Sequence, residues 1–181
     1  TGAAPIVVVA YACHPVTLGR NTEYSADYPG YVLRELNAYG LRALYLNGPC
    51  GDINPATHAC AWGSGTVETL RIYGRDLAAA VRAGLRQAPV LEMGPLSCVS
   101  RRVPLNHVRP KPDELRRELA EVEDHLGREP GDGPARVHAT WCRRMMELVE
   151  GGGLAEAMAA EVQAIACGEL VFAGLAGEVF T

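Results

Sequence analysis

The chain has 181 residues, 48% of them hydrophobic and 21% charged, and a net charge of −4. That apolar fraction supports a packed core and argues against disorder. No basic run exists to follow a phosphate backbone, so no nucleic-acid partner is expected.

No apolar stretch approaches a membrane span, so no transmembrane segment is expected. The first residues lack the basic start and small-residue cleavage site of a signal peptide. Six cysteines (13, 50, 60, 98, 142 and 167) show no CxxC spacing, and a chain this size does not need disulfides as a scaffold. Reduced thiols and a soluble, cytoplasmic rather than secreted protein are the expectation.

"PIVVVAYA" (5–12) is a continuous β-branched run that reads as a buried strand, and Pro15 closes it. "SADYPGYVLRELNAYG" reads as a helix, with Val32, Leu33, Leu36 and Tyr39 on one face and Gly40 just past its end. "LRALYLN" (41–47) reads as a second buried strand. Strand, helix and strand in this order predict a parallel pair.

A long loop over 48–64 leads to a helix over 65–88, whose stripe is Val67, Leu70, Tyr73, Leu77, Val81 and Leu85. Gly74 inside it implies close packing, because glycine costs a helix about 1 kcal/mol relative to alanine. Residues 90–105 read as one or two strands, with Pro95 marking an edge or a break.

Residues 112–150 then read as two charged helices joined by "REPGDGP", a helical hairpin inserted over about 106–153. The alanine-rich "LAEAMAAEVQAIACG" has helical propensity. Gly168-Glu169 followed by "LVFAGLAG" instead favours a β-hairpin feeding a last strand. The fold class expected is α/β: a mixed or mostly parallel sheet flanked by helices, with the inserted hairpin.

Three polar residues each follow the end of an apolar run: His14, Asp52 and Glu178. Ligands bind outside strand ends in α/β sheets, so these three meet if the last strand also runs parallel. An imidazole and carboxylates in a cleft suit a metal site or acid–base chemistry. Singly, each has a plainer explanation: a hydrogen-bonded histidine, a turn aspartate, a surface glutamate.

Cys50 in the loop could pair with His14 as a thiol nucleophile, whereas Cys13 points to the opposite face from its neighbour His14. Asp27 stands at a helix start, where it either favours the helix dipole or faces the cleft. Asn54 precedes Pro55, which pushes it to extended geometry. His58, His107, His125 and His138 show no mutual spacing that suggests metal binding.

"YACHPVTLG", "SADYPGYVLREL", "YLNGPCGDINP" and "LVFAGLAGEVFT" are similar, in this order, to motifs of the neutral, non-lysosomal ceramidase catalytic domain and its bacterial relatives. The resemblance covers roughly 5–88 and 160–181. It implies a zinc-dependent hydrolase acting on an amide, with His14 and Glu178 as zinc ligands. It implies further ligands from an upstream histidine-rich motif and a downstream tyrosine.

The family's loop reads Gly-Asp-Val-Ser-Pro, and Asn54 stands here where the serine would be. An amide cannot attack a carbonyl, but it can donate to an oxyanion. The expectation is therefore one partial ceramidase-like catalytic domain over 1–181, truncated at both ends. Asp52 and Asn54 act in catalysis, Asp27 and Cys50 touch a small-molecule or lipid-like substrate, and zinc activates water. The alternatives are a Cys50/His14 thiol hydrolase and a degenerate domain that binds without turnover.

Overall fold

The computed structural model of the chain describes residues 6–180. Its elements are β1 (Ile6–Tyr11), α1 (Asp27–Ala38), β2 (Arg42–Asn47), a 3₁₀ turn (Ala56–Ala59) and α2 (Val67–Leu85). They continue with β3 (Leu96–Asn106), α3 (Pro112–Arg128), α4 (Gly133–Glu150), β4 (Ala157–Cys167) and β5 (Leu170–Gly174). The class is mixed α/β, and the strands form two small sheets: β1 and β2 in parallel, and an antiparallel triple in the order β3-β4-β5.

The chain divides into two compact units. One holds the described residues through Ser97 together with those from Ile165 onward; the other is Cys98–Ala164.

In the first unit β1 and β2 pair from Ile6 opposite Arg42 to Tyr11 opposite Asn47. Alternation along a strand sends Val7 and Val9 to one face and Ile6 and Val8 to the other. Val7 and Val9 are buried in a core with Cys13, Tyr28, Val32, Leu36, Leu70 and Ala78. The outer face departs from the expectation of two buried strands: Ile6 is 59% exposed and Leu44 58%. Parallel sheets are normally covered on both faces, and α1 and α2 supply core residues to one face of this pair.

Helix α1 follows its predicted stripe through Val32 and Leu36, both fully buried. Tyr39 leaves the stripe at the helix end and is 57% exposed, with the Arg82 guanidinium 3.4 Å from its ring centroid. Gly40 takes a left-handed φ of 76° there, as a helix-ending glycine does. Helix α2 starts on a capping box in which Thr66 and Thr69 exchange side-chain and backbone hydrogen bonds.

Gly74 is buried where α2 meets Tyr31 of α1. A Cβ at this position would lie 2.3 Å from the Tyr31 Cβ and 2.9 Å from its carbonyl carbon. Gly74→Ala is therefore expected to destabilise the protein by about 1–2 kcal/mol, because overpacking outweighs the better helix propensity. Urea unfolding followed by circular dichroism measures this; a raised midpoint would show that α1 and α2 do not approach so closely.

In the second unit α3 and α4 pack on each other across the short turn that joins them. Leu115, Ala139 and Cys142 are buried, and Leu119, Val122 and Leu126 are half-buried beside them. Strand β3 begins directly after Pro95 and lies at a sheet edge, which is where its internal Pro104 is tolerated. The hairpin expected near the C-terminus is present as β4 and β5. Gly168 turns it at φ 61°, where any Cβ would lie 2.3 Å from the Glu92 carbonyl oxygen.

Candidate functional site

A cavity of about 300 Å³ opens at the carboxyl ends of β1 and β2. His14, Asn47, Cys50, Leu175 and Glu178 are among the residues that line it. His14 sits just beyond β1, where the chain can no longer continue the ladder because Pro15 follows. Its backbone N–H donates to the Ile53 carbonyl at 2.9 Å, and its ring Nδ1 lies 3.3 Å from the same oxygen. One carbonyl oxygen thus fixes both the backbone and the ring.

With a proton on Nδ1 to donate to Ile53, the other ring nitrogen presents its lone pair. That atom, Nε2, faces Glu178 Oε1 at 3.5 Å. Two acceptors so placed are reconciled by a proton or by a cation between them. The separation is close to the roughly 3.3 Å between neighbouring ligands of a tetrahedral ion with bonds near 2.0 Å. His14 keeps 20% of its side-chain surface exposed and Glu178 75%, so the pair is open to solvent from the glutamate side.

The two residues meet by a different route from the one the sequence proposes. Strand β5 does not join the β1–β2 sheet. Instead the segment after β5 lies against the 48–55 loop, where the Gly51 N–H donates to the Val179 carbonyl at 2.9 Å. A Cβ at Gly51 would be 2.9 Å from the Phe180 ring and 3.0 Å from the Glu178 carbonyl oxygen. The bare glycine lets the two backbones touch.

The other residues singled out by sequence fall in three places. Cys50 lines the His14 cavity, is buried, and its Sγ accepts a hydrogen bond from the Asn47 side-chain amide at 3.1 Å. Asn54 lines a second cavity, of about 400 Å³, with Tyr11, Cys13, Tyr28, Tyr73 and Leu77. Asp52 is exposed and lines neither cavity. Ile53 therefore stands between the two spaces: its carbonyl holds His14, and the residue is part of the second cavity's lining.

Asp27 is buried and serves the backbone. Its carboxylate accepts from the Tyr28 N–H at 2.8 Å and the Leu18 N–H at 3.4 Å. Its φ of 49° is the one left-handed non-glycine value among the described residues. The plainer reading of Asp27, as an organiser of the helix start, accounts for these contacts.

The second cavity is floored by a tyrosine cluster. The Tyr28 hydroxyl donates to the Cys13 carbonyl at 2.7 Å and lies 2.9 Å from the Tyr45 hydroxyl. Burial, then the Tyr45 hydroxyl, push the Tyr28 phenol far above its ordinary range, so it stays a neutral donor. Burial likewise pushes the Cys13 thiol up, which keeps it protonated and unreactive. All six cysteines are free thiols.

Asn47 and the Ile53 carbonyl are site components that sequence reasoning missed. Asn47 had a signal: a polar side chain at the last position of the strand, straight after the apolar run Ala43–Leu46. The carbonyl had none, because a backbone atom leaves no trace in residue identity.

No family model, curated protein or solved structure matches the chain. The functional reading of the cavity therefore stands on its own chemistry. Among the described residues no third His, Cys, Asp or Glu completes a metal-ligand group around His14 and Glu178. The donor set fits zinc in kind, one imidazole nitrogen and one carboxylate oxygen, and supplies two of its positions. No helix among the described residues is long and apolar enough to cross a membrane.

Proposed function

We propose that the chain carries the core of a zinc-dependent, ceramidase-like hydrolase that cleaves an amide or related carbonyl bond in a small or lipid-like substrate. The observation that carries this reading is His14. Its ring is locked by the Ile53 carbonyl so that Nε2 faces the Glu178 carboxylate 3.5 Å away in an open cavity. Metal-bound histidines characteristically donate their other ring nitrogen to such a carbonyl.

His14 and Glu178 would hold the ion, which when bound lowers the pKa of a water ligand toward neutrality. Asn54, on the wall of the largely apolar second cavity across Ile53 from His14, would donate its amide to a polar group of the substrate that extends into that cavity. That cavity, with its tyrosine floor, suits an acyl or other apolar substituent. Asp52 is assigned an orienting role on the exposed face of the loop.

The thiol alternative loses ground on one contact: the Cys50 sulfur takes its hydrogen bond from Asn47, not from the imidazole. The test is metal removal. N-acyl amide hydrolysis should be abolished by a chelator, restored by zinc, and unaffected by iodoacetamide. Activity that resists the chelator but is lost on alkylation would establish the thiol enzyme instead. Zinc binding without turnover on amide and ester panels would establish a binding domain.

A further inference from the structure

We infer that Glu118, His138 and Cys142 form a second, independent cation site on the helical hairpin, built for a divalent ion of the zinc class. His138 and Cys142 are one turn apart on α4 and so share a face of that helix. Glu118 reaches them from α3. The ligand atoms of all three lie within 4.8 Å of one another, and His138 Nε2 is 3.4 Å from Glu118 Oε2.

A tetrahedral ion with bonds of about 2.0–2.3 Å holds its ligands roughly 3.3–3.8 Å apart. The ligand separations therefore have to shorten by at most about 1 Å to meet that geometry. Histidine spacing by itself hides this group. The sequence signal is His138-x-x-x-Cys142, and only the packing of the hairpin brings up Glu118.

The donor set selects the ion. A thiolate beside an imidazole favours a borderline-soft cation over magnesium or calcium, which take oxygen cages. Three protein ligands leave a fourth position, and the side chains of Glu118 and His138, 44% and 46% exposed, leave it open to water. Cys142 forms the buried end of the site. A thiol binds such an ion as the thiolate, so binding releases the Cys142 proton to solvent as the sulfur takes the ion. The ion would join α3 to α4 independently of the His14 cavity.

The test uses the full chain carrying Trp62→Phe, which leaves Trp141 as the one tryptophan. The Trp141 ring lies 5.9 Å from that of His138, close enough to report a paramagnetic ion. Titration with cobalt(II) is expected to give a near-ultraviolet sulfur-to-metal charge-transfer band and to quench Trp141 emission. Cys142→Ser should abolish the band. Glu118→Gln and His138→Gln should each weaken cobalt binding about tenfold or more with an unchanged far-ultraviolet spectrum.

His14→Ala should leave the band intact, which separates this site from the proposed hydrolytic one. The inference is overturned if no band forms, if the band survives Cys142→Ser, or if His138→Gln binds cobalt as tightly as the parent. Should Cys142→Ser fail to fold, the Glu118 and His138 variants decide, because both side chains are partly exposed and their loss leaves the core filled.

Discussion

His14→Ala is expected to weaken zinc binding at the β1–β2 cavity by about 100-fold or more and to bring amide hydrolysis down to the level of chelator-treated protein. Loss of even an outer-shell partner of a metal ligand typically costs 10–100-fold, and here the proposed ligand itself goes. The fold should survive, because the backbone hydrogen bond from residue 14 to the Ile53 carbonyl does not need the ring. Far-ultraviolet circular dichroism checks that, and equilibrium dialysis against zinc checks the affinity.

Glu178→Gln should act in the same direction but less steeply, since a glutamine oxygen can still point at an ion but brings no charge to it. If the His14→Ala protein kept both full zinc affinity and full activity, the hydrolytic reading would fall. If it kept one tightly bound zinc but lost activity, the retained ion would belong to the hairpin group, and Cys142→Ser in the same background should release it.

The largest expected effect on stability is at Leu36. Its side chain is fully buried on α1, in the core built with Val7, Val9, Val32 and Leu70. Leu36→Ala removes packed methyl groups and leaves a void that the sheet and α2 can only partly close. The expected loss is about 2–5 kcal/mol, or a thermal midpoint lower by roughly 5–15 °C. Thermal melts read this directly. Leu44→Ala on the open face of the same sheet is the control and should cost far less, because Leu44 is already 58% exposed.

Much of the fold could be read from the residues. The β-branched run at 6–11, the stripe of Val32 and Leu36, and the stripe through Leu70 gave β1, α1 and α2 near their observed bounds. The hairpin of β4 and β5 was also legible, since Gly168 and the apolar run after it outweighed the alanine-rich helix propensity before it. The exposed face of β1 and β2 was not. Continuous apolar runs look alike whether one face or both are covered, so Ile6 and Leu44 carried no warning.

The site was legible in part for the same kind of reason. His14 and Glu178 each follow an apolar run, and that position marked them. Asn54 was marked by its place in the loop motif, yet it lines the neighbouring cavity with Tyr28 and Tyr73. A one-residue step along an irregular loop can swing a side chain to the other side of its own backbone. No periodicity predicts that.

The contact between Gly51 and Val179 has a consequence for how such a site can change over time. A hydrogen bond between two stretches of main chain holds the segment that carries Glu178 against the loop beside His14, so that docking does not depend on which side chains surround it. The lining of the cavity is therefore free to drift while the two segments stay docked. Position 51 does not share that freedom. A Cβ there would press on the Phe180 ring and the Glu178 carbonyl oxygen, so the ring or the 178–180 segment would have to shift; the residue of the loop with no side chain is the one on which this docking depends.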